Sequence, residues 1–358
     1  MLFDTYALAN TTLANRIVMA PMTRSRAVHA NVPNELMAQY YSQRAQAGLI
    51  ITEGTSPSPN GLGYARIPGL FNAAQVQGWR LVTDAVHEKG SKIFVQLMHT
   101  GRVSHQLNLP AGARVLGPSA EVCPGEMWTD GEGMQPHTPP TSMSVDDIHT
   151  AVQEYAHAAQ LAVQAGFDGV ELHAANGYLL EQFLNANVNQ RKDSYGGNAE
   201  GRNRLVLEVA QACVQAIGAD KVGIRISPYG VFNATGPFEG MEEQFLALTR
   251  QVSALGLVYL HLVDHSAMGA PAVPEQFKRQ LRAAFARTFI AVGGFDGNSA
   301  EQVLQAKEAD LIAFGRPFIS NPDLVNRLQQ GAALAAPDMS TFYTPGEKGY
   351  TDYPVFSA

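Results

Sequence analysis

His173 and Asn176 stand three residues apart, where an apolar run at 169–173 gives way to a turn, and Tyr178 follows two residues later. That spacing can aim the first two side chains into one pocket, as two neutral hydrogen-bond donors able to grip a single carbonyl or nitro oxygen. Tyr178 adds a phenol whose ordinary pKa of about 10 keeps its proton at neutral pH, which suits a general acid. Singly, each residue reads as a packed side chain; three together at a strand end read as a site. Gly293-Gly294 and Gly315-Arg316 follow two further apolar runs, at 289–292 and 311–314. Glycine N–H groups at such places can cradle a phosphate, and Arg316 can add a bidentate ion pair, although a tight strand-to-helix turn needs the same glycines.

The ten histidines give two close pairs, His99 with His105 and His261 with His265. The second pair lies on a strand, where four residues span about 13 Å and build no helical zinc face. No carboxylate completes either set, so no metal is expected. Neither a Gly-x-Ser-x-Gly elbow nor a Walker lysine motif occurs.

These groups need elements to hold them. Short apolar runs predict eight strands, at 15–22, 49–52, 93–98, 169–173, 222–227, 258–263, 289–292 and 311–314. They are apolar on successive residues, as parallel strands covered on both sides are. Helical patterns fall between them at 33–46, 74–89, 145–164, 202–217, 241–255, 275–285, 300–308 and 323–329, with Ser144 and Asp147 forming a capping box before the third. Eight strand–helix units favour an α/β fold of the (β/α)8 TIM-barrel type over a doubly wound open sheet. A single barrel over 1–358 is expected, because no linker or repeat divides the chain. The segment 100–143, rich in Pro and Gly after the third strand, is the exception to the short connections. On a barrel it emerges at the C-terminal face, so a lid-like insertion is expected.

Twenty-five basic against 32 acidic residues leave a net charge of −7, which provides no field for a nucleic-acid backbone. No run approaches the ~18 apolar residues of a membrane span, and the first residues lack a secretion signal, so a cytoplasmic protein without membrane or nucleic-acid partners is expected. Cys123 and Cys213 supply neither a disulfide framework nor a thiolate cluster.

Taken in order, the strand ends resemble the Old Yellow Enzyme family of FMN-dependent ene-reductases over nearly the whole chain. The motifs that carry the resemblance are NRIVMAPMTR at 15–24, QLMHTGR at 96–102, ELHAANGYL at 171–179, RKDSYGG at 191–197, FGR at 314–316 and GYTDYP at 349–354. The resemblance implies a noncovalent FMN at the barrel mouth, reduced by NAD(P)H, with a small activated alkene following in the same pocket. Gln96 would pair with the pyrimidine edge of the flavin, Arg225 would lie by N1 and the C2 carbonyl, and Thr23 would donate to the C4 oxygen. Ala20, Pro21, Met22 and Gly54 would contact the ring, and Gly293, Gly294, Gly315 and Arg316 would take the phosphate. His173 and Asn176 would bind the substrate oxygen while hydride passes from flavin N5 to the β-carbon and Tyr178 protonates the α-carbon. Tyr64, Met98 and Tyr343 would complete the substrate side.

Three departures stand out: Met98 replaces the family's usual Trp, Gly201 replaces an Asn, and Thr344-Pro345-Gly346 replaces a glycine-rich turn beside Tyr343. Thr23 separates the chain from the branch with Cys there, and two cysteines exclude the iron–sulfur dienoyl-CoA reductases. The activity expected is reduction of enones, maleimides or nitroalkenes. The alternatives are reduction of nitrate esters or nitroaromatics as the main role, a phosphate-binding barrel lyase without flavin, and a flavin-binding barrel without turnover. The lyase would need a catalytic Lys or a metal at a strand end, and neither is placed there. Oligomeric state is left open.

Overall fold

The computed structural model describes residues 1–356. Eight parallel strands close into a barrel: β1 (Ile17–Met19), β2 (Leu49–Thr55), β3 (Lys92–Leu97), β4 (Gly169–Ala174), β5 (Val222–Ile226), β6 (Tyr259–Val263), β7 (Thr288–Val292) and β8 (Leu311–Phe314). Closure is made by β8 on β1, with Phe314 opposite Met19. Helices α1 (Glu35–Gln43), α2 (Ala73–His87), α3 (Val145–Gln164), α4 (Ala199–Ile217), α5 (Met241–Ala254), α6 (Glu275–Ala284), α7 (Gly297–Gln305) and α8 (Leu324–Gln330) follow the strands in turn. This is the (β/α)8 barrel that the alternating pattern predicts, and the Ser144–Asp147 capping box opens α3 as expected.

Among the boundaries that differ from the sequence reading, two have a clear local reason. β1 keeps only the middle of the expected 15–22: after Ala20, whose N–H still donates to the Phe314 carbonyl (3.0 Å), Pro21 has no N–H to extend the ladder. α4 starts at Ala199 because the Asn198 side chain caps it by accepting from the Gly201 N–H (2.9 Å). A Cβ at Gly201 would stand 2.2 Å from the Gly196 carbonyl oxygen, so the glycine that departs from the family pattern permits this close approach.

The barrel interior changes character along its axis. At its N-terminal end Val18, Leu49, Ile51, Phe94, Tyr259, Ile290 and Leu311 form an apolar plug, closed from below by Leu8 and Leu13 of the hairpin Tyr6–Leu8/Thr11–Leu13. Gly169 and Gly223 make room for it, since a Cβ on either would stand 2.5 Å from the Phe94 ring and 2.3 Å from the Tyr259 ring respectively. Two residues further along the same strands the inward positions become Gln96, Glu171, Arg225 and His261. The plug therefore ends where the polar floor of a site begins.

Residues 341–350 return to the C-terminal mouth and are clamped by buried arginines. Arg26 donates to the carbonyls of Thr341 (2.9 Å) and Phe342 (2.7 Å), Arg24 donates to Gly349 (2.7 Å), and Tyr350 stacks on Tyr40 with ring centroids 4.0 Å apart. The 100–143 segment is built around the hairpin Glu126–Thr129/Gly133–Pro136 and a short pairing of Leu116–Gly117 with Thr141–Ser142.

Candidate active site

A cavity of about 820 Å³ opens at the C-terminal ends of the strands. The chain after β1 brings Ala20, Pro21, Met22 and Thr23 to its wall, β3 brings Gln96 and Met98, and β4 with its turn brings His173, Asn176 and Tyr178. Arg225 enters from β5, Gly293 and Gly294 from beyond β7, Gly315 and Arg316 from beyond β8, and Tyr64 and Tyr343 from two loops at the rim. Gly54 is the one expected site residue not brought to this wall. It lies behind Met98, where a Cβ would meet the thioether sulfur at 2.5 Å, so its smallness serves Met98.

The floor is a buried charge network. The Glu171 carboxylate accepts from Gln96 Nε2 (2.8 Å) and from His261 Nδ1 (2.8 Å). Burial works against its charge, but His261, Arg225 and Gln96 outweigh that and hold its pKa below the usual carboxylate value. Burial keeps His261 neutral, as the N–H donor of the pair. The neighbouring Arg225 has a buried Nε without a protein partner, and His173 likewise leaves Nδ1 unpaired. Burial, then the charge of Arg225, lowers the pKa of His173 far below its ordinary value, so its ring is neutral at physiological pH.

The turn after β4 is left-handed at both central residues, with φ of +60° at Asn176 and +75° at Gly177. A Cβ at Gly177 would stand 2.5 Å from the Phe232 carbonyl oxygen, so glycine is required there. Three polar links hold the turn: Asn176 N–H to Ser227 Oγ (2.9 Å), Ser227 Oγ to Glu181 Oε2 (3.1 Å), and Gly177 N–H to Glu181 Oε2 (2.6 Å). Burial pushes the Glu181 carboxyl up to about 8. Tyr178 leaves the turn with its ring edge-on to His173 (4.9 Å between centroids) and its hydroxyl 3.1 Å from that of Tyr64. Burial raises its pKa to about 12, so the phenol holds its proton.

The His261 and His265 pair, which the sequence set aside as metal ligands, serves two different partners, for His265 Nε2 lies 2.7 Å from Asn176 Oδ1. Glu171, Ser227, Glu181 and His265 escaped the sequence reading as site residues. The one signal for Glu171 and His261 was a polar residue on the inward side of an otherwise apolar strand.

The donor set fits a flavin. Arg225 and His173, each with a buried side-chain nitrogen that has no protein partner, line one part of the cavity, and Gly293, Gly294 and Gly315 line another. At Gly294 (φ +74°) a Cβ would stand 2.6 Å from that of Ala267, so only glycine keeps this edge open.

A family model described as NADH:flavin oxidoreductase / NADH oxidase matches residues 1–335. The chain is 39% identical to 12-oxophytodienoate reductase 7 of Oryza sativa subsp. japonica, covering 99% of this chain and 94% of that protein. Morphinone reductase in complex with tetrahydroNAD superposes with a TM-score of 0.95 at 43% identity, covering 99% of this chain and 98% of the other. The Old Yellow Enzyme homologue from Zymomonas mobilis gives a TM-score of 0.95 at 38% identity, covering 99% of both chains.

Proposed function

We infer the function from a premise that the comparisons establish: the chain belongs to the NADH:flavin oxidoreductase / NADH oxidase family. It is an FMN-dependent ene-reductase that draws electrons from NAD(P)H and saturates activated C=C bonds, enones foremost. The flavin-free lyase falls with that membership. When bound, FMN supplies the hydride that it has accepted from NAD(P)H.

We propose that Gln96 and Arg225, which both line the cavity, hold the pyrimidine edge of the flavin, Arg225 contributing a positive charge where reduction places negative charge. Gln96 keeps one amide N–H on Glu171, which fixes its plane and leaves its oxygen for the ligand. Ala20, Pro21, Met22 and Thr23 contact the ring system, and Gly293, Gly294, Gly315 and Arg316 receive the phosphate.

His173 and Asn176 bind the substrate oxygen as neutral donors and draw electron density from the alkene. Tyr178, fully protonated at physiological pH, gives its proton to the α-carbon. Met98, Tyr64 and Tyr343 shape the substrate side, with a flexible thioether at Met98 that adapts to more than one ring shape. The 100–143 segment is proposed as a wall over this end of a single FMN-binding barrel. In support, Arg66, on the Tyr64 loop, pairs with Asp130, and Asn108 Nδ2 donates to the Gly63 carbonyl (2.9 Å). A reducing, cytoplasmic compartment suits the two free thiols, Cys123 and Cys213, and the supply of NAD(P)H.

The observation that carries this reading is Tyr178 standing against His173 in the cavity that also holds Asn176. The test is the visible spectrum of the purified protein without oxygen, then with one equivalent of NADPH, then with 2-cyclohexenone. Flavin absorbance should bleach with NADPH and return with the enone. Bleaching without return would remove the substrate assignment alone, and a colourless protein that takes up no FMN would remove the whole reading.

A further inference from the structure

Asn176 has four polar groups, and protein partners occupy three of them. Its N–H donates to Ser227 Oγ (2.9 Å), its carbonyl accepts from Asn233 Nδ2 (2.7 Å), and its amide Oδ1 lies 2.7 Å from His265 Nε2. Among the described residues only Nδ2 is left without a partner, and Asn176 lines the cavity. An amide oxygen can only accept, so Nε2 of His265 carries the ring proton and donates it. The anchors are themselves fixed. His265 packs edge-on against Phe232, with centroids 4.6 Å apart, and the Asn233 carbonyl accepts from Arg102 Nη2 (3.1 Å). Burial, then the charge of Arg225, lowers the His265 pKa to about 4, which leaves a single ring proton at neutral pH.

We propose that His265 is a positioning residue that sets the polarity of the substrate-oxygen site. By holding Oδ1 it turns the Asn176 N–H donors into the cavity, so that Asn176 and His173 together present donors and select ligands bearing an acceptor oxygen. Without that bond the amide rotates, and many of its orientations set oxygen against oxygen. The inference rests on the reading of Asn176 as an oxygen-binding residue.

The test is a double-mutant cycle on the FMN-loaded enzyme, with the dissociation constant of cyclohexanone followed by its perturbation of the flavin absorbance. Cyclohexanone offers an acceptor oxygen and has no C=C bond to reduce. His265→Phe, which keeps a ring against Phe232, should weaken binding about tenfold, and Asn176→Ala at least as much. In the Asn176→Ala background His265→Phe should add less than about twofold, because its effect acts through Asn176. His265→Gln, which retains an N–H donor, should recover most of the loss. With 2-cyclohexenone, His265→Phe should raise KM more than it lowers kcat. His265→Ala serves in the same cycle if the phenylalanine disturbs the loop. Additive losses in the double variant, or wild-type binding in His265→Phe, would overturn the proposal and leave Asn176 in its role. Wild-type binding in Asn176→Ala would overturn both.

Discussion

Tyr178 suits the proposed role of general acid because burial keeps its phenol protonated at working pH. Its pKa is raised by burial to about 12, so the protonated form persists well into the alkaline range. The alkene half-reaction should therefore be flat from about pH 6 to about pH 10 and fall only beyond. A decline centred near pH 9 in rapid-mixing traces would point to another donor. Tyr178→Phe should slow that half-reaction on the order of a hundredfold or more while flavin reduction by NADPH stays nearly intact. Equal losses in both halves would contradict its role. The sequence made His173, Asn176, Tyr178 and Gln96 legible because each sits at or near a strand end inside a specific motif, and Arg225 because it is a charged residue near the end of the apolar run 222–227. Glu171 and His265 were not legible as site residues, since the side chains they meet lie far along the chain. Gln96 lies 75 positions from Glu171, and Asn176 lies 89 positions from His265. A single Glu or His within a strand pattern says nothing of what will face it.

The turn after β4 is held by the buried Glu181 carboxyl, which meets Gly177 N–H and Ser227 Oγ, and its burial makes stability depend on pH. Glu181 has an ordinary pKa of 4.5 and a folded value of about 8. Between the two the folded state keeps a proton that the unfolded state releases, so this contribution is full below about pH 4.5 and is lost as pH rises through about 8. Denaturant titrations at pH 5 and pH 8 should show wild type losing stability relative to Glu181→Gln, on the order of a few kcal/mol across the window. A parallel loss in both proteins would refute the assignment. At the start of α4, Gly201→Ala should cost about 1–3 kcal/mol, because its Cβ meets a carbonyl oxygen and not a yielding side chain. Thermal unfolding of the flavin-loaded proteins checks this. Hydrophobic period and capping residues placed all eight barrel strands and their helices, but not their ends. Those ends are set by where Pro21 leaves the ladder and where Asn198 finds an N–H to accept, which are matters of tertiary position.

For the molecule as a whole, the pattern of eight units indicated a barrel, yet the contact that distinguishes a barrel from an open sheet is the pairing of β8 with β1, with Ile312 opposite Ile17. No local signal encodes a pairing between such distant strands. Closure brings Arg225 and His173 together on the cavity wall, so the flavin should act as part of the fold. FMN at a hundred times its dissociation constant should stabilise the protein by about 2.7 kcal/mol, visible as a higher Tm than that of the stripped protein. Coincident melting curves would mean that the cavity does not hold it. The cavity wall is also assembled from regions remote in sequence: Pro21 and Tyr343 both line it, 322 positions apart, and the arginines of the early region grip the carbonyls of 341–349. A nascent chain on the ribosome thus displays most of its strands long before residue 343 has emerged from the exit tunnel. By the proposed assignments capture of the FMN phosphate waits for Arg316 and completion of the substrate side for Tyr343, so a chain stalled before residue 316 should stay colourless.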